Sequence, residues 1–142
     1  RQGYDSRDPW TDYVIAVEDA EGRVLNGWRM RHARLPARVR EEHSETAYTT
    51  DVALDFMAAQ GDAPWVLHLS YVKPHWPYVA PAPYHAMYAP DQCLPVARHP
   101  DERGPGAHPV FRAFQEEEVS RAFQDDRCIA TVRPAYQGLV TQ

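Results

Sequence analysis

The residues best suited to chemistry gather in one stretch, His68 to Pro81, which reads HLSYVKPHWPYVAP. An apolar run stops at Lys73-Pro74-His75, and bulky rings then alternate with prolines. Lys73 is the only lysine in the chain. An ammonium and an imidazole set close together suit an anionic substrate. Both can donate hydrogen bonds to oxygens that gain charge as a bond breaks, and an imidazole can also hand a proton to a leaving group. Pro74 and Pro77 restrict the backbone before a substrate arrives, which lowers the cost of ordering the loop. Trp76 and Tyr78 can exclude water or hold an apolar leaving group. His75 is therefore the candidate catalytic group, and Lys73, His75, Trp76 and Tyr78 are the candidate substrate-binding set. The bland alternative for His75 is a loop histidine bonded to backbone. For Lys73 it is a salt-bridged group behind the site, because near neighbours in extended backbone point opposite ways.

Other polar residues carry weaker signals. His68 lies inside the apolar run and reads as a satisfied core histidine. His85, His99 and His108 have no ligand spacing and read as surface loop residues. Asp51 and Asp55, one helical turn apart, read as solvated charges. Cys93 and Cys128 lack metal-ligand spacing and fit either free thiols or a single bridge. The arginines between Arg29 and Arg40 could hold an anion, but Glu41, Glu42 and Glu45 follow at once, so a solvated face is expected. A formal charge of −5 argues against a nucleic-acid partner, which calls for a basic face. No apolar run approaches the ~20 residues of a membrane span, so no membrane partner is expected. No signal peptide is read, although a chain starting at Arg1 can have lost one; the expected compartment is the cytoplasm.

These residues need elements to position them. Tyr13 to Val17 reads as a strand, Asp19 to Gly22 as a turn, and Arg23 to Leu25 as the returning strand. The arginine segment around Pro36 is loop or short helix. A helix is expected from Ser44, which can cap it, to a stop at Gly61, with Tyr48, Val52, Phe56 and Ala59 as its apolar stripe, widened by Leu54 and Met57. Trp65 to Val72 is apolar on both alternating faces, the pattern of a strand covered on both sides in a mostly parallel sheet. In open α/β sheets ligands bind beyond the carboxyl ends of strands, which puts His75 on the functional rim. Nine prolines between Pro74 and Pro109 predict a long irregular loop, packed up to Tyr88. A short acidic helix near Gln115 to Gln124 follows, then a helix from about Thr131. That helix stops at Gln142 in mid-stripe with no terminator, as a cut chain would. The expected divisions are 1–42 (hairpin and Arg-rich loop), 43–73 (helix and buried strand), 74–110 (Pro-rich active-site loop) and 111–142 (helical, truncated).

The motif Lys73-Pro74-His75-Trp76-Pro77-Tyr78, preceded by a helix and an apolar strand, resembles the [Lys/Phe]-Pro-His-x-Pro-[Phe/Tyr] loop of the sulfatase branch of the alkaline-phosphatase superfamily. Its continuation Ala80-Pro81-Ala82-Pro83-Tyr84-His85, with Tyr88, is similar to the phosphonate monoester hydrolases and phosphodiesterases of that branch. Pro134-Ala135-Tyr136-Gln137-Gly138-Leu139-Val140 resembles the family's Tyr-x-Gly-Leu helix. The resemblance implies an α/β fold, a fragment of a mostly parallel sheet sandwiched by helices with a long Pro-rich loop. It implies a small anionic ester substrate and a parent using a formylglycine nucleophile on a divalent metal, manganese or calcium. A homo-oligomeric parent is compatible with it. Neither cofactor has holders in this segment. Cys93-Leu94-Pro95-Val96-Ala97-Arg98 almost spells the Cys-x-Pro-x-Arg from which formylglycine is made, but Ala97 stands where arginine is required, and the motif follows the Pro-His loop instead of preceding it. The Asp-His-Gly metal pattern is missing too. The segment is therefore expected to be inactive alone. The rival reading is a non-catalytic binding module presenting Pro77 to Pro83 as a polyproline II ligand.

Overall fold

The computed structural model describes residues 15–142. Tyr13 and Val14, the expected start of the first strand, lie outside them. Strand β1 (Ala16–Glu18) pairs antiparallel with β2 (Val24–Asn26), with Val17 opposite Leu25. A turn joins them at Gly22, as the sequence predicts. On its other side β1 is bordered by the segment after Pro36. The Glu18 N–H donates to the Pro36 carbonyl, and the Arg38 N–H donates to that of Ala16, each at 3.0 Å. The Ala37 N–H then donates to the Ala80 carbonyl at 2.8 Å, so the segment bordering β1 holds the early part of the Pro-rich segment. Gly27 lets these layers close up: a Cβ there would stand 2.3 Å from the Ile15 carbonyl oxygen and 2.5 Å from a Val79 methyl.

Helix α1 (Glu45–Ala59) forms as expected, its first turn capped by Ser44, whose hydroxyl accepts from the Ala47 N–H at 3.2 Å. Its apolar stripe is not covered, however. Tyr48 is 70% exposed, Val52 and Leu54 are at least half exposed, and only Ala53 is buried. The expected buried strand over Trp65 to Val72 is corrected too. It joins no ladder among the described residues, and Val66 is 93% exposed. A strand exists only with a partner, and the two strands described pair with each other. What ties this segment down is α1: the Tyr71 and Thr50 hydroxyls lie 2.7 Å apart, and the Trp65 ring meets Phe56 edge-on. His68, expected in a core, is exposed.

From Lys73 to His108 there is no strand and no α-helix, only 3-10 turns at Tyr84–Ala86, Pro90–Gln92 and Pro100–Arg103. Pro77, Val79, Ala80 and Pro81 are buried, which leaves no free polyproline ligand over those residues. The C-terminal part is helical with shifted bounds: α2 (Pro109–Glu116), α3 (Glu118–Ala122) and α4 (Asp126–Thr141). Helix α4 starts earlier than expected because the Asp125 carboxylate caps it, accepting from the Arg127 N–H at 2.9 Å. Its inner face supplies the core, where Val132 and Ala135 pack on Ala33 with Met30, Tyr78, Phe123 and Cys128 around them. Gly138 sits so close to the Tyr84 carbonyl that a Cβ would fall 2.0 Å from the oxygen. No described helix is long and apolar enough to cross a membrane.

Candidate functional site

All four residues singled out from the sequence border one open groove of about 640 Å³. Lys73, His75, Trp76 and Tyr78 line it with Tyr71, Val72, Val119 and Tyr136. The first set comes from the loop after the apolar segment. The last two come from α3 and α4, brought over by the packing of α4 on Tyr78.

His75 is exposed, and its Nδ1 lies 2.6 Å from the Trp76 carbonyl oxygen. A carbonyl can only accept, so Nδ1 carries the proton of that bond. The ring is thereby oriented, and Nε2 is left as the nitrogen a ligand can reach. One nitrogen bonds backbone, as the bland alternative for His75 has it, and the other takes no part in that bond.

Lys73 behaves differently. Its Nζ donates to the Pro77 carbonyl at 3.2 Å, closing the loop that carries His75 across its base. Burial pushes the Lys73 ammonium below its ordinary pKa, opposed by the Glu45 carboxylate. Lys73 also borders a second cavity of about 740 Å³ on the α1 side, between Val39, Glu45 and Val79. One of its three N–H donors is thus committed to the loop's own backbone. Trp76 is turned inward: its ring meets that of Trp28 at 4.5 Å, and its Nε1 is buried with no hydrogen-bond acceptor among the described residues. Tyr78 is half-buried, its ring edge-on to Phe123 at 6.3 Å and to Tyr136 at 6.2 Å. Burial, then the neighbouring Tyr136 and Cys128, raise the Tyr78 pKa, so its phenol stays a neutral donor.

Sequence reasoning missed Tyr136, Tyr71 and Val119 as groove residues. Tyr136 had a signal, the Tyr-x-Gly-Leu motif, but nothing local says which way that helix faces. Cys93 is a free thiol whose Sγ lies 3.2 Å from Gln137 Oε1, and Cys128 is free as well. Among the described residues no group of three or more histidine, cysteine or acidic side chains is placed to hold a metal ion. With Ala97 in the place of the arginine, the segment also does not fit a formylglycine.

No family model matches the chain. Curated proteins and solved structures do. The chain is 36% identical over 119 residues to the multifunctional alkaline phosphatase superfamily protein PehA of Trinickia caryophylli, an alignment taking in 75% of this chain and 23% of that protein. Its structure resembles the phosphonate monoester hydrolase SpPMH from Silicibacter pomeroyi with a TM-score of 0.71 at 35% identity, covering 98% of this chain and 28% of that one. The chain thus spans about a quarter of the length of these relatives. The curated relative is an alkaline phosphatase superfamily protein, and the chain shares the mixed α/β character of its structural neighbour.

Proposed function

We propose that the chain is part of a metal-dependent hydrolase of phosphonate monoesters, phosphodiesters or sulfate esters, in the sulfatase branch of its superfamily, and that it contributes the substrate-contacting Lys-Pro-His loop. The observation that carries this reading is the His75 ring, held by its Nδ1 bond to the Trp76 carbonyl, with Nε2 free at the mouth of a groove shared with Lys73 and Tyr78. The setting of this loop in the intact protein is a mostly parallel sheet sandwiched by helices, with the Pro-rich loop at its rim. The likeness to a phosphonate monoester hydrolase favours phosphonates among the three ester classes.

The nucleophile and the divalent metal have no holders among the described residues, so only this chain's own groups are assigned steps. Nε2 of His75 gives a hydrogen bond or a proton to the ester oxygen that gains charge as its bond to phosphorus or sulfur breaks. To do so it must be the imidazolium, because Nδ1 already holds the proton of the neutral ring. Lys73 keeps the loop closed, and Tyr78 offers a phenol to a non-bridging oxygen.

His75→Ala in the full-length protein should lower kcat by roughly 10² to 10⁴ and raise KM less, the span for a lost general acid or oxyanion donor. The loss should shrink for aryl leaving groups that are already weak bases. Steady-state kinetics on a series of aryl esters measure this. An unchanged kcat with a normal melt ends the reading, and a loss equal across the series moves His75 from the leaving oxygen to the non-bridging ones.

A further inference from the structure

The groove beside His75 is far more apolar than a site for a bare tetrahedral anion needs. Tyr71, Val119 and Tyr136 each leave more than two-fifths of their surface to solvent, at 42%, 43% and 44%. All three line the same groove as His75. Apolar side chains gathered at the mouth of a polar site mark a place for an apolar group. Of the rings, Trp76 is pinned edge-on against Trp28 and Tyr78 is wedged between Phe123 and Tyr136. Tyr71 and Tyr136 are the two exposed rings of the groove; Tyr71 is tied through its hydroxyl to Thr50 of α1, whereas Tyr136 has a fixed seat behind it. Two residues on, Gly138 is locked against the Tyr84 carbonyl, and one residue back Ala135 is fully buried. Its backbone position is therefore set by packing and not by a mobile loop.

We propose that Tyr136 is a specificity-determining residue. Its ring, with Val119 across the groove, receives the organic substituent that stays on phosphorus, and it favours a flat aromatic substituent over a methyl group. The inference rests on the hydrolase reading of His75 and adds to it the substrate class and a contact from a different part of the chain. A sulfate monoester has no such substituent, so the groove gives it nothing, whereas an arylphosphonate monoester places a ring where Tyr136 can stack edge-on or offset.

The test uses the full-length protein and two substrates with one leaving group, the para-nitrophenyl esters of phenylphosphonate and methylphosphonate. Wild type should prefer the phenyl compound. Tyr136→Ala should lose about 5- to 20-fold in kcat/KM on it, mainly through KM, the size expected for a lost ring pair and its buried area. On the methyl compound it should stay within about twofold, and Tyr136→Phe should keep the preference. Val119→Gln, at an exposed position, should erode the preference in the same direction if Tyr136→Ala fails to fold. Equal losses on both esters, no loss on either, or a wild type indifferent to the phenyl group each overturn the proposal. His75→Ala separates the two readings, because it should lower both esters alike. If it leaves both intact, the role of His75 falls, while the phenyl-to-methyl ratio still reports on Tyr136.

Discussion

At the scale of single residues, the loop divides its labour between groups that look alike in sequence. Lys73 and His75 are both cationic candidates, yet Lys73 is turned onto the Pro77 carbonyl and His75 onto that of Trp76 with a nitrogen to spare. Residue types and spacing made both legible as candidates. How each is held was not legible, because it depends on hydrogen bonds to backbone that a one-dimensional reading does not contain. His85 shows the same limit. The sequence suggests a surface residue, but its Nδ1 is buried without a partner among the described residues. Burial, with the Arg34 charge nearby, lowers its pKa from 6.5 despite a bond to the Pro81 backbone. A histidine whose folded pKa is lowered binds protons more readily when unfolded. Its contribution is complete above the unfolded value and is lost as pH falls below it. Thermal melts of the full-length protein at about pH 8 and about pH 5.5 should therefore show a smaller acid-induced drop for His85→Gln than for wild type. Equal drops would mean that this ring does not sense burial.

The elements divide by whether their determinants are local. Helix α1 was readable from Ser44 to Gly61 because capping and chain reversal are decided within a few residues. Helix α4 starts ahead of the expected Thr131 because Asp125 caps it, which leaves Pro134 buried in the helix interior, a position proline seldom takes. The segment Trp65 to Val72 failed for a different reason. Its two apolar faces announce burial between partners, and burial needs partners that these residues do not meet. The contact that most constrains α4, Gly138 against Tyr84, leaves no trace in helical periodicity. Gly138→Ala must push the helix off a backbone oxygen, which should cost about 1–3 kcal/mol of stability or more. Asp125→Ala, which removes only the cap, should cost about 1 kcal/mol. Denaturant titration of the two variants in the full-length protein ranks them, and a Gly138→Ala as stable as wild type would show that α4 shifts freely.

At the scale of the whole molecule, the described residues hold a candidate groove without a metal-holding cluster. The chain has a small core under α4, a held loop and an aromatic groove, while one face of α1 and the run after Pro64 present Tyr48, Val52, Leu54, Val66 and Val72 to solvent. Exposed apolar patches of that extent belong to interfaces. The expressed 142-residue chain should therefore show no turnover of phosphonate, phosphodiester or sulfate esters above buffer, with manganese or calcium added. It should also be cut by protease first between Pro64 and Val72, where no ladder protects the backbone. Turnover by the pure chain would return Cys93 to consideration as a nucleophile.

The crossing of Trp28 and Trp76, with ring centres 4.5 Å apart and planes at 64°, has an optical consequence. Two indoles that close and that strongly inclined couple their transition dipoles, so the pair should produce a split circular-dichroism band that neither ring gives alone. One ring follows the hairpin and the other belongs to the loop that carries His75. The amplitude of that couplet is thus a built-in gauge of whether the loop is seated, readable during titration with substrate analogues without any label, and abolished by Trp28→Phe.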